Sequence, residues 1–180
     1  GFRLSGLVRI FDNVYYRRPV IADRVEWDHE IIVEDFRYAA RLSKGRPVKV
    51  TLTGPYTMYT WSLDRYYGDM RKAMLDLAEA LSREIKALVE AGARYIQVDE
   101  PALSTRPRKE DVALAGEALG IMVGGLSNVK RIMHVCYGKL ERLFPEVLDF
   151  PIDQLDLEMK NSNYALLKLL REYSFDKELG

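Results

Sequence analysis

The sequence predicts a parallel α/β fold of the (β/α)8 TIM-barrel type, with this chain covering only part of the barrel. Three observations carry that expectation. Short apolar runs alternate with amphipathic helical stretches, giving four successive strand–helix units across residues 46–173. The links between them are short, as parallel neighbours joined by helices require. Polar residues recur at the C-terminal ends of successive strands, the rim on which such barrels build active sites. A complete barrel takes eight units and typically about 250 residues, and the chain has 180. Residues 1–180 therefore read as one partial catalytic barrel domain, truncated at both ends.

The elements follow in order. Leu7–Phe11 and Arg17–Ala22 read as strands, with Pro19 near the start of the second. Residues 30–42 follow helical spacing through Ile31, Ile32, Phe36, Ala39, Ala40 and Leu42, and Gly45 stops the run. Val48–Thr53 is a strand closed by the turn signal Gly54-Pro55. A long helix over about 70–91 carries the stripe Met74, Leu77, Leu81, Ile85 and Leu88. Arg94–Asp99 is the next strand, then a helix near 110–124 with Asp111 close to its start. Val129–Cys136 is a strand, 139–148 a shorter interrupted helix, Ile152–Glu158 a strand and 162–172 a helix.

Composition excludes several classes. Lys+Arg and Asp+Glu both number 27, so no basic footprint for nucleic acid exists. No apolar run approaches the length of a membrane span, and no signal segment opens the chain. The hydrophobic share of 48% suffices for one sizeable core. A single cysteine precludes an internal disulfide, which points to a reducing, cytoplasmic setting.

The segment Arg131-Ile132-Met133-His134-Val135-Cys136-Tyr137 holds the only cysteine and one of two histidines. In a strand, positions i and i+2 share a face, so His134 and Cys136 converge. Taken alone, the pair is better read as a core cysteine and a hydrogen-bonded histidine. Glu158 ends the following strand, and parallel neighbours set their C-terminal ends side by side. His134, Cys136 and Glu158 together make a plausible zinc set, against a plain reading of Glu158 as a helix cap or a partner of Lys160. Asp99 and Glu100 end another strand at the same rim. A carboxylate there suits a substrate ammonium or a general base, and equally a cap or salt bridge. Trp61, just past a strand end, offers a flat face to a planar ring, although a tryptophan is more often core.

Together these pieces resemble the catalytic domain of cobalamin-independent methionine synthase. The resemblance rests on Leu52-Thr53-Gly54-Pro55 with Trp61-Ser62, on Tyr95-Ile96-Gln97-Val98-Asp99-Glu100-Pro101-Ala102-Leu103, on His134-Val135-Cys136-Tyr137, and on Glu158 before Ser162. It covers the chain from about Arg17 onward, with the short archaeal-type form carrying a single barrel as one option. It implies a zinc-bearing barrel that transfers a methyl group to homocysteine, with His134, Cys136 and Glu158 as zinc ligands. It implies Asp99 as the contact to the homocysteine amino group and Trp61 as the wall for the methyl donor. The family's fourth ligand, a cysteine, and its catalytic histidine are expected beyond Gly180, so the fragment alone is expected to be inactive.

Two positions depart from folate-using members. Asn13-Val14-Tyr15 stands where they have Ser-Arg-Cys, and Thr105 where they have glutamate. The resemblance thus leaves the donor open between methyl-folate and a methyl-corrinoid, the latter brought by a corrinoid protein. Two alternatives stand beside this reading: a related zinc thiol methyltransferase of coenzyme M type, and a non-catalytic partial barrel that only binds metal.

Overall fold

The computed structural model of the chain describes every residue except Asp12, Arg106, Lys139, Asn161 and Ser162, and describes Ile10 and Phe11 by backbone only. Strands β1 (Phe2–Phe11) and β2 (Val14–Ile21) form an antiparallel hairpin with a register shift between Leu4 and Leu7. Both run longer than the sequence predicts, because each completes the other's hydrogen bonds. Helix α1 (Val33–Leu42) starts later than its periodicity suggests. Fully buried Glu84 accepts hydrogen bonds from the N–H groups of Ile31 (3.0 Å) and Ile32 (2.8 Å) and from the Trp27 indole (2.7 Å). It supplies from outside the acceptor that a helix N-terminus lacks.

Strand β3 (Lys49–Thr53) is followed by two elements the sequence reading lacks, α2 (Pro55–Thr60) and β4 (Leu63–Asp64). Both are too short for a periodic signal, although Pro55 at the first helical position is a start mark. Helix α3 (Met70–Glu90) follows the predicted stripe, with Met74, Leu77, Leu81, Ile85 and Leu88 all buried. Asp69 caps it, accepting from the Lys72 N–H at 3.2 Å. Then come β5 (Tyr95–Asp99), a single 3-10 turn at Pro101–Ser104, α4 (Lys109–Val123) and β6 (Lys130–Val135).

The interrupted helix expected at 139–148 is instead a pair of 3-10 turns, Leu140–Leu143 and Glu146–Asp149. Pro145 between them has no N–H to continue a helix. Strand β7 (Gln154–Leu157), helix α5 (Leu166–Glu172) and a short β8 (Glu178–Leu179) complete the chain. Lys139 and Ser162, where two helices were expected to begin, lie outside the described residues.

Two sheets result. The small one has the order β1-β2-β4, and the large one is parallel with the order β3-β5-β6-β7-β8. Strand order in the large sheet follows chain order without reversal. A doubly wound sheet reverses at a switch point, whereas a barrel does not. Alternate residues Val50, Leu52, Ile96, Val98, Met133, Val135, Leu155 and Leu157 are buried in one core with residues of α3 and α4. The opposite face is the concave inner side of the barrel. Among the described residues, no helix is long and apolar enough to cross a membrane.

Candidate active site

The register of the large sheet sets the site. Thr53, Asp99 and His134 pair in sequence across β3, β5 and β6, and His134 pairs onward with Asp156 of β7. Paired residues in a parallel sheet share a face, so Asp99 and Asp156 flank His134 on the concave side. Strands β6 and β7 stop at Val135 and Leu157, one residue short of the predicted ends. Cys136 and Glu158 are thus the first residues beyond adjacent strand ends, at matching levels.

His134, Cys136 and Glu158 line one open cavity of about 480 Å³ with Lys49, Gln97 and Asp156. Among the described residues, no three His, Cys, Asp or Glu side chains converge closely enough to hold an ion. The three donors share a cavity without closing on a point. In kind they suit zinc, which takes thiolate, imidazole and carboxylate together. Burial pushes the Cys136 thiol upward, and the negative charge of Asp99 pushes the same way, against a backbone hydrogen bond that lowers it. A cation bound to the sulfur would favour the thiolate in that setting, the proton passing to solvent.

Asp99 is oriented by its own strand. Gln97 Nε2 donates to Asp99 Oδ1 at 2.6 Å. This fixes the amide, and Gln97 Oε1 is left buried with no hydrogen-bond partner. The pattern repeats on β7, where Gln154 Nε2 donates to Asp156 Oδ1 at 2.6 Å and Lys49 Nζ lies 3.6 Å from Asp156 Oδ2. Asp156 was missed in the sequence, although Gln154-Leu155-Asp156 repeats the spacing of Gln97-Val98-Asp99.

Glu100 takes no part in the rim, a correction to its sequence placement beside Asp99. It is turned inward and buried, and its carboxylate accepts from the N–H groups of Tyr56 (3.0 Å) and Thr57 (2.7 Å) and from Thr57 Oγ1 (2.6 Å). Burial pushes its carboxyl up to about 7, opposed by those hydrogen bonds.

Trp61 caps the C-terminus of α2, its N–H donating to the Thr57 carbonyl at 3.0 Å. Its carbonyl accepts from Tyr16 Oη at 2.7 Å, and Arg18 reaches the Ser62 carbonyl at 2.8 Å. The hairpin is thereby tied to the Trp61 turn. Trp61 lines two clefts of about 380 Å³ each. One is walled by Phe2, Leu4, Tyr16 and Pro19, and the other by Arg9, Tyr16, Thr105, Cys136 and Tyr137. Cys136 and Tyr137 also line the cavity of His134 and Glu158. The structure therefore joins the Trp61 side to the His134 side through Cys136. Sequence reasoning missed Tyr16 and Arg9, which carry no motif and arrive by hairpin folding.

Comparison with known proteins gives this geometry a family. A family model described as the catalytic domain of cobalamin-independent synthase matches residues 2–180. The chain belongs to the cobalamin-independent methionine synthase family. The methionine synthase of Saccharolobus solfataricus is 43% identical over 180 residues, covering all of this chain and 53% of that protein. The methionine synthase of Sulfurisphaera tokodaii is 41% identical, with 52% of that protein covered. The chain spans about half the length of these curated relatives. A solved B12-independent methionine synthase from Shewanella sp. W3-18-1, in complex with selenomethionine, superposes with a TM-score of 0.83 at 27% identity. That match covers 98% of this chain and 55% of the other. Thr105 lines the cleft between Trp61 and Cys136.

Proposed function

We propose that the protein containing this chain transfers a methyl group to the thiol of homocysteine, forming methionine, with zinc held by His134, Cys136 and Glu158. The observation that carries the reading is the shared position of Cys136, which lines both the cavity of His134 and Glu158 and the cleft of Trp61. Donor and acceptor sides meet there. Zinc at that position would supply the Lewis acidity that keeps a thiol deprotonated near neutral pH.

The chain's own residues do the rest of the positioning. Asp99, held by Gln97, takes the acceptor's ammonium. Fixing the amino group aims the substrate sulfur toward the cleft, which removes part of the barrier by orientation. Trp61 and Tyr16 provide the aromatic wall for the methyl donor. The donor is a methyl-folate or a methyl-corrinoid. The family and its relatives support the methionine-forming reaction, and their names do not extend to a corrinoid-protein partner.

The test is homocysteine-dependent methyl transfer by the complete protein, with methyl-folate and methylcobalamin assayed side by side. Cys136→Ser and His134→Ala are expected to lose stoichiometric zinc and at least about a hundredfold in rate. Full zinc and full activity in both variants would refute the metal assignment.

A further inference from the structure

Glu100 presents a physical problem of its own. It is a buried carboxylate for which no salt bridge is recorded among the described residues. Such a group is costly unless fixed donors replace water. Both oxygens are occupied here, Oε1 by the Tyr56 N–H and Oε2 by the Thr57 N–H and hydroxyl. The Thr57 hydroxyl oxygen accepts in turn from the Ala102 N–H at 3.1 Å. Glu100 lies against Gly54 so closely that a Cβ there would fall on the carboxylate.

The same residue reaches the other side of the site through its backbone. Its N–H donates to the His134 carbonyl at 2.9 Å, and the Gly54 N–H donates to the Asp99 carbonyl at 2.8 Å. On the α2 side, Thr57 is one helical turn from Trp61 and accepts its N–H. A chain of hydrogen bonds therefore runs from His134 through Glu100 and Thr57 to Trp61.

We propose that Glu100 is a positioning residue that locks the Trp61 turn to the end of the His134 strand, setting the donor wall at a fixed distance from the acceptor side. This rests on the methyl-transfer reading for its kinetic consequence, and on the hydrogen bonds alone for its structural one. A carboxylate is required because three donors must be met by two oxygens. An amide at this position offers one oxygen and turns an NH2 group against a backbone N–H. Placement errors of about 1 Å at a reacting centre cost about a hundredfold in rate.

The experiment uses the complete protein. Glu100→Gln is expected to keep its zinc and a homocysteine KM within about threefold, and to lose roughly 10- to 100-fold in kcat. Thr57→Val, which removes the hydroxyl that donates to Glu100 and accepts from the Ala102 N–H, should show the same split more weakly, and Thr57→Ser, which keeps that hydroxyl, should retain the wild-type values. Trp61 emission is read in parallel in a background where Trp27 and any tryptophan of the complete protein other than Trp61 are replaced by phenylalanine. Glu100→Gln and Thr57→Val should both shift or broaden that emission.

Wild-type kcat and unchanged Trp61 emission in Glu100→Gln would overturn the proposal. So would parallel losses in kcat, KM and zinc content, which mark general disruption. If the wild-type protein itself transfers no methyl group, the functional reading fails. The Trp61 emission then still decides the positioning role, because it needs no turnover.

Discussion

Cys136 is the residue on which the two halves of the site depend, and its surroundings oppose ionisation. Burial and Asp99 both favour the thiol, so without a cation it is a poor thiolate at neutral pH. Alkylation rates make this visible. Metal-free protein should react slowly with iodoacetamide at pH 7 and faster in alkali, and a fast reaction at pH 7 would contradict the assigned environment. Gln97 is the second residue with a sharp expectation. Replacing it by leucine removes the clamp on Asp99. Under the proposed function, Gln97→Leu should raise the homocysteine KM about tenfold, the worth of one lost charge-assisted hydrogen bond. Steady-state kinetics at saturating donor would check this, and an unchanged KM would remove Gln97 from the acceptor site. The strand-end positions of Asp99, His134, Cys136 and Glu158 were legible, because each follows an apolar alternating run. Glu100 was legible as a carboxylate and misplaced in role, because the turn after Asp99 directs it into the core.

At the scale of elements, two ties hold the frame that carries these residues. Glu84 on α3 gathers Trp27, Ile31 and Ile32 from the segment before α1. Glu84→Ala would leave those donors buried without an acceptor and should cost about 3 kcal/mol in urea unfolding. A cost below about 1 kcal/mol would show that water replaces the carboxylate. The second tie joins β6 to the segment before β7. Arg131 donates to Asp153 through its backbone N–H (2.8 Å), Nε (2.9 Å) and Nη2 (2.5 Å). The side-chain hydrogen bond from Arg131 holds the Asp153 carboxyl below the usual carboxylate range. A depressed folded pKa contributes stability that is present above the unfolded value and lost as pH falls through the folded one. Asp153→Asn should therefore lower Tm by about 2–4 °C at pH 7. The gap to wild type should close as pH is taken from about 5 toward 2, and a gap that widens in acid would reverse the assignment.

At the scale of the molecule, the parallel sheet has β3 at one edge and β8 at the other. Its concave face carries Thr51, Thr53, Gln97, Asp99, His134 and Asp156, polar residues that a closed barrel would enclose. The 180 residues alone should therefore associate through the exposed edges, visible as a concentration-dependent rise in mass by light scattering. A monodisperse monomer at high concentration would show that the edges are protected. The chain spans about half of its curated relatives, and the remaining length in those relatives suits closure of such a sheet.

What the sequence determined by itself was the local rhythm and the motif order. Apolar alternation marked β3, β5, β6 and β7, and helical spacing marked α3 and α4, because burial on one face imposes a fixed period. Short elements escaped, since α2 and β4 have too few residues to show a period. Only the tertiary structure decided the rest. Strand register, a long-range property, put Asp156 beside His134, and hairpin folding carried Tyr16 and Arg9 to Trp61. It also turned Glu100 away from the rim and into the joint between α2 and β6, because only a packed interior brings those donors to one carboxylate.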